Sequence, residues 1–226
     1  IPIALGLMDR DGNDIIETKI LDLKEQEQVF KFENIKTKPI PSILRNFSAP
    51  IKLTTNLTED DLKFLMIHDS DGFNRWEAGQ NFYLKIIIDL IDNSSNEVPD
   101  LFFEAIDDLL RQAENGAQDL ALLARALTLP DISIIGQSKD VVDPDAIYTA
   151  RQVLKKAIKK QFKDQLTKIY DLCAPDEVFS ITPHSMGRRA LRNVMLAYLT
   201  ATNGKGCAIL AKGHYQTANT MTDRMA

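Results

Sequence analysis

Three histidines, two cysteines and a serine in a glycine-led run are the residues through which this 226-residue chain could act on a substrate. A hydrolytic zinc site needs three protein ligands and an open position for water, most often His-Glu-x-x-His on one helix turn plus a third ligand. His68 is followed by Asp69-Ser70, His184 by Ser185-Met186 and His214 by Tyr215-Gln216, and none has a second histidine four residues on. The three therefore read as capping, surface or core-edge side chains. Gly136-Gln137-Ser138 lacks the second glycine of a nucleophile elbow. Cys173 and Cys207 sit in or beside apolar helical stretches, where a buried, inert thiol is the usual outcome. Gly204-Lys205-Gly206 is too short for a phosphate loop and reads as a helix-end turn. No catalytic, cofactor-binding or metal-ligating residue is assigned.

The charged stretches offer binding rather than catalysis. Lys155 to Lys163 carries five lysines and reads either as a phosphate- or partner-binding helix or as a solvated face opposite Leu154, Ile158 and Phe162. The second reading is preferred, because aromatic residues are sparse there and the chain carries a net charge of −5. Arg188, Arg189 and Arg192 share one helix face and read as a salt-bridged surface or the lining of a polar channel. His68 to Glu77 begins a calcium-loop pattern with Asp69 and Asp71, but Asn74 and Glu77 break the spacing. It reads as a helix–helix turn in which Asp71 caps, Gly72 bends and Trp76 is mostly buried. The sequons at Asn46 and Asn56 fit turn and cap roles.

These residues are positioned by two kinds of structure. Residues 1 to 57 read as short strands and residues 58 to 226 as helices, an α+β chain. Ile3, Leu5 and Leu7 alternate with Ala4, Gly6 and Met8. A hairpin turn at Asp9–Asn13 follows, then strands over Ile15–Leu23 and Gln26–Phe32, a run marked by Pro39 and Pro41, and a last strand at Ile51–Leu53. An antiparallel sandwich or open sheet fits this pattern. Thr58 opens the first helix, with Asp61 where a capping box prefers Glu. Helical stripes then run through Leu62–Met66, Trp76–Ile91, Phe102–Leu110, Leu120–Leu127, Ile147–Ile169 and Leu191–Leu199, with a last helix over Ala208–Ala218. Asp143-Pro144 and Thr182-Pro183 place a cap before a proline at the first helical position, and Asn203-Gly204 ends the helix before it. Apolar content of 44% with 26% charged residues is ordinary for a globular chain. No apolar run approaches the ~18 residues of a membrane span. Two cysteines outside any CxxC pair suggest a reducing, cytoplasmic compartment. Ile1 in place of an initiator methionine, and the absence of a terminal signal before Ala226, read as a segment of a longer protein.

The runs PSILRNFSAPIKL, HDSDGFNRWEAGQ, LTLPDISIIG, DPDAIYTARQ and NTMTDR, in this order along nearly the whole chain, resemble the C-terminal part of the M1 zinc aminopeptidases of the bacterial aminopeptidase N group. The resemblance implies an immunoglobulin-like sandwich whose first strand precedes Ile1, followed by the start of a solenoid-like helical domain that covers the active-site chamber. It implies zinc in the parent enzyme and none in this segment, since the family's His-Glu-x-x-His and Gly-Ala-Met-Glu-Asn motifs have no match here. The implied partners are a catalytic domain upstream in the same chain and peptide substrates, with no nucleic acid or membrane. The alternative is a stand-alone helical-repeat module for protein binding.

Overall fold

Strand β1 (Pro2–Met8) lies between β2 (Asp14–Asp22) and β3 (Ile40–Ile43), and both pair with it antiparallel. The computed structural model describes residues 1–117, 119–175 and 179–226, which form two compact units, Ile1–Phe82 and Tyr83–Ala226. Ala4 through Met8 are all buried, so the period-two pattern of this central strand separates two covered faces. The Asp9–Asn13 turn closes the hairpin as expected: Asp9 N–H donates to Asn13 O at 2.9 Å, and Gly12 takes φ 90°. Pro41 lies on the edge strand β3, where its missing N–H removes no ladder bond.

Two expected strands are not formed. Gln26–Phe32 and Ile51–Leu53 are irregular. In the first, Phe30 and Phe32 do share an inward side and Val29 is exposed, but alternation fixes only which face a residue takes. A strand also needs a neighbour to supply ladder bonds. Lys24 N–H donates to Gln28 Oε1 at 2.9 Å, which curls the chain away as this segment begins.

Helix α1 (Glu59–His68) starts with the anticipated reciprocal cap: Asp61 N–H donates to Thr58 Oγ1 and Thr58 N–H to Asp61 Oδ2, each at 3.2 Å. Leu62, Leu65 and Met66 are buried. In α2 (Gly72–Asp92), Asp71 Oδ1 accepts from Asn74 N–H at 2.8 Å. Trp76 is mostly buried, as expected, though not completely. One inward stripe runs through Asn74, Ala78, Phe82, Ile86 and Leu90, and a second through fully buried Tyr83 and Ile87, which lie within about 20° of Trp76 around the helix.

In the second unit, α3 (Asp100–Glu114) buries Phe102, Ala105, Ile106, Leu109 and Leu110 completely. Next come α4 (Leu120–Ala126) and α5 (Ile132–Gly136), the latter too short to show a period in the sequence. Helix α6 (Pro144–Leu172) is capped by Asp143 and turns Ile147, Leu154, Ile158, Phe162 and Ile169 inward. Its backbone departs from helical geometry at Phe162. Helix α7 (Pro183–Leu199) is capped by Thr182. It ends at Leu199, and Gly204, in extended backbone, leads instead into α8 (Lys205–Thr217). A four-residue helix, α9 (Met221–Arg224), follows. Helix α7 packs on both α4 and α6. At Gly187 an added Cβ would lie 2.9 Å from Ala121 N, so these two backbones meet where only glycine fits. Two buried tyrosines complete the end of α4: Tyr83 O–H donates to Ala126 O at 2.8 Å and Tyr198 O–H to Leu127 O.

Candidate functional site

Two buried polar clusters are the features of this chain that could carry more than packing. The first is centred on Arg45. Leu44, Asn46 and Phe47 all hold positive φ, at 66°, 55° and 50°, in the turn after β3. Non-glycine residues adopt that region only when their surroundings enforce it. Arg45 supplies the enforcement: its Nη1 and Nη2 grip Asp14 at 2.8 and 2.7 Å, Nη2 reaches Asp69 at 3.2 Å, and Nε donates to Ser42 at 2.8 Å. A Cβ on Gly6 would fall 2.1 Å from the guanidinium carbon, so glycine there makes room for the arginine. Asn74 Nδ2 donates to Ser42 Oγ at 2.7 Å and to Ile43 O at 3.0 Å, tying α2 to the strand end. The Arg45 bond holds the Asp14 carboxyl below the usual range, while burial pushes Asp69 up. With its donors engaged this way, the cluster is a structural knot. The sequence pointed to Asp69 and Asp71 as turn residues, but Arg45 was not anticipated, because its partners lie far apart along the chain.

The second cluster joins α6, α7, α8 and α9. His214 is buried, and its Nδ1 is 2.9 Å from the Tyr170 hydroxyl. Arg192 Nη2 donates to the same hydroxyl at 3.1 Å, and its guanidinium carbon lies 4.4 Å from the Tyr170 ring centre. Arg192 is therefore neither a surface nor a channel residue. Arg188 and Arg189 clamp neighbouring chain: Arg188 donates to the Leu172 and Ala174 carbonyls and Arg189 to Ser180 O at 2.9 Å.

The histidines singled out in the sequence take separate roles. His68 ends α1 beside Phe64, with ring centres 4.7 Å apart, and His184 is exposed at the start of α7. Among the described residues, no group of three or more His, Cys, Asp or Glu is placed to hold a metal ion. His214 Nδ1 is 2.9 Å from the Tyr170 hydroxyl, and none of the three histidines is placed with two further ligands among the described residues. Ser138 Oγ bonds back to Ile135 O at 2.6 Å, a helix-end role. In the lysine run Lys156, Lys160 and Lys163 are exposed opposite buried Leu154, Ile158 and Phe162, Lys155 is half-buried, and Lys159 Nζ points to Thr202 Oγ1 at 2.6 Å and Cys207 Sγ at 3.1 Å.

Cys207 departs from the expected inert thiol. It is half-buried in the first turn of α8, and the Lys159 ammonium lowers its pKa, whereas burial raises that of Cys173. Native-state alkylation with iodoacetamide is expected to modify Cys207 at least tenfold faster than Cys173, with Lys159→Met narrowing the gap. Equal rates for the two cysteines, read by peptide mass spectrometry, would refute this. Between α4 and α7 a groove of about 590 Å³ is lined largely by apolar side chains, including Leu122, Met186 and Val194, with Asp119 and Arg125 also in its wall.

The family model DUF3458_C, described as a domain of unknown function with ARM repeats, matches residues 59–226. The chain belongs to the DUF3458_C family. A second model, DUF3458, described as a domain of unknown function with an Ig-like fold, matches residues 1–56 ahead of the DUF3458_C segment. The chain is 30% identical over 234 residues to Aminopeptidase N of Escherichia coli K12, covering 100% of itself and 27% of that protein. It is 32% identical over 220 residues to Aminopeptidase N of Caulobacter vibrioides, covering 97% of itself and 25% of that protein. In structure it is similar to Legionella pneumophila aminopeptidase A in complex with aspartic acid, with a TM-score of 0.87 and 27% identity over 99% of this chain and 27% of that one. This DUF3458_C chain thus spans about a quarter of the length of the relatives it matches.

Proposed function

We propose that this chain is the non-catalytic segment of an M1-type zinc aminopeptidase that removes N-terminal residues from peptides. Its helical part covers the active-site chamber and limits which substrates reach it. The observation that carries this reading is similarity along the entire chain to aminopeptidases N, in which the matched region is only 27% of the whole. The enzyme's chemistry is supplied elsewhere, by an upstream catalytic domain in the same polypeptide. We place the boundary between the sandwich part and the helical domain at Leu57–Thr58. The family models break there, at residues 56 and 59, and the Thr58 cap begins α1. The two cysteines form no disulfide and no helix is long and apolar enough to cross a membrane, among the described residues, and a cytoplasmic site of action accommodates both.

The test compares the complete polypeptide with this chain alone. The complete polypeptide is expected to hold about one zinc and to release p-nitroaniline from alanyl p-nitroanilide. This chain alone is expected to do neither. A parent reading frame without an upstream His-Glu-x-x-His, or turnover by this chain that is lost on mutating His68, His184 or His214, would overturn the proposal. The first outcome would favour a helical-repeat binding module, for which the ARM-repeat description of residues 59–226 speaks.

A further inference from the structure

Helix α8 is attached to the second unit in an unusual way. Of its thirteen residues His214 alone is buried, and after it only Ala218 and Asp223 are. Two of the three buried residues that anchor α8 and α9 are thus ionisable. Ordinary helix docking rests on an apolar stripe, which does not respond to pH. This docking rests on a histidine.

The hydrogen-bond geometry fixes which form of that histidine fits. Arg192 has only donors, so the Tyr170 oxygen must accept from it. The Tyr170 hydrogen can then go to His214 Nδ1, 2.9 Å away, and that pairing assigns Nδ1 as the lone-pair nitrogen, since the reverse assignment leaves the Tyr170 hydrogen without an acceptor in this contact. With that assignment the docked ring is neutral and carries its proton on Nε2. A second proton would sit on Nδ1, facing the hydroxyl. It would break that bond, leave the Tyr170 hydrogen without its acceptor and place a second cation beside Arg192.

The groups facing His214 do little to offset this. From α6 come Tyr170 and, behind it, Asp171; from α7 comes Arg192; from α9 comes Asp223, whose backbone and carboxylate favour the charged ring. Asp223 Oδ2 is already taken by Thr220 Oγ1 at 2.8 Å. At the far end of α8 stands another cation, Lys159. The site is also poorly satisfied as it stands: His214 Nε2, Arg192 Nε, Asn193 Oδ1 and Asp223 Oδ1 are buried without a well-formed hydrogen bond.

We propose that His214 is an acid-sensitive latch, and that protonation of its imidazole releases α8 and α9 from the α6–α7 face. Burial first, and then Arg192, lower the pKa of His214 from the ordinary 6.5, and Asp223 only partly opposes them. Because the docked state binds fewer protons, docking is at full strength above 6.5 and weakens as pH falls from there toward the docked-state pKa. Within that window the released fraction grows about tenfold per pH unit, the mark of a single proton.

The chain has three histidines, so histidine-selective labelling gives three imidazole signals, and His214→Gln identifies one by its loss. In the unaltered chain the His214 signal is expected to titrate below 6.5, together with loss of amide-exchange protection over residues 205–224 after correction for intrinsic exchange. In His214→Gln, whose side-chain oxygen can still accept from Tyr170, that protection is expected to stay constant across the same pH range. A His214 midpoint at or above 6.5, or the same acid loss of protection in His214→Gln, overturns the proposal. Should the variant fail to dock at neutral pH, the coincidence of titration and opening in the unaltered chain decides: together they support the latch, and opening without titration removes it.

Discussion

Arg45→Ala is expected to destabilise the Ile1–Phe82 unit by about 3–5 kcal/mol, the cost of removing one partner from a buried ion pair. Arg45 is 3% exposed and Asp69, one of its partners, equally so. Without the guanidinium, Asp69 keeps its burial and loses the Arg45 cation, while Ser42 and Asp14 lose their donor. The turn at Leu44, Asn46 and Phe47 also loses what holds its strained backbone, worth about 1–3 kcal/mol per residue. Arg45→Lys keeps the charge but not the fork that grips both Asp14 oxygens, so an intermediate loss is expected. Trp76 is the sole tryptophan and lies in this unit, so urea unfolding followed by its fluorescence reads the effect directly. A loss under about 1 kcal/mol for Arg45→Ala would mean the cluster behaves as a surface pair. The pH dependence has a definite sign. Asp14, lowered first by its bond to Arg45, contributes stability that is present above 3.8 and is lost as pH falls through its folded pKa. Asp69, raised by burial, acts oppositely: its contribution is present below 3.8 and is lost as pH rises through its folded pKa. Arg45→Ala is expected to flatten the acid limb that comes from Asp14.

Phe102→Ala is expected to cost the Tyr83–Ala226 unit about 3–5 kcal/mol. The ring is fully buried and meets Tyr83 and Phe103 edge-on, at 5.9 and 5.8 Å between centres. Its removal leaves a cavity beside Tyr83, whose hydroxyl completes the end of α4. Tyr83→Phe separates the two effects, since it keeps the ring and strands the Ala126 carbonyl, at about 1–3 kcal/mol. If Phe102→Ala loosens the Tyr83 ring, the double variant should lose less than the sum of the single losses. Guanidinium unfolding followed by circular dichroism measures all three. A strictly additive result would show that the aromatic contact and the hydroxyl bond act independently.

The helical part of this fold was legible because caps and stripes are local. Thr58, Asp143 and Thr182 announce their helices within four residues, and the Phe102–Leu110 stripe repeats at the helical period. The strands were less legible, because Gln26–Phe32 alternates like a strand yet forms no ladder among the described residues. Neither buried cluster could be read from sequence. Arg45 meets Asp14 and Asp69 across 31 and 24 residues, and His214 meets Tyr170 across 44. No local spacing encodes such meetings. Cys207 was misjudged for the same reason, since its lysine neighbour comes from another helix.

The close approach of α7 to α4 at Gly187 has a consequence for what a saturation-mutagenesis library of this chain would return. A methyl group there meets backbone, which cannot swing aside as a side-chain tip can. Position 187 should therefore survive selection for folded chains as glycine alone, with even alanine depleted. Gly206 and Gly213, on the open surface of α8, have nothing within 4 Å of an added methyl. Alanine at those two positions should be enriched, since it stiffens a helix by about 0.5–1 kcal/mol relative to glycine. Three glycines on two helices would thus give opposite scores, and the sign at each would report whether backbone or solvent faces it.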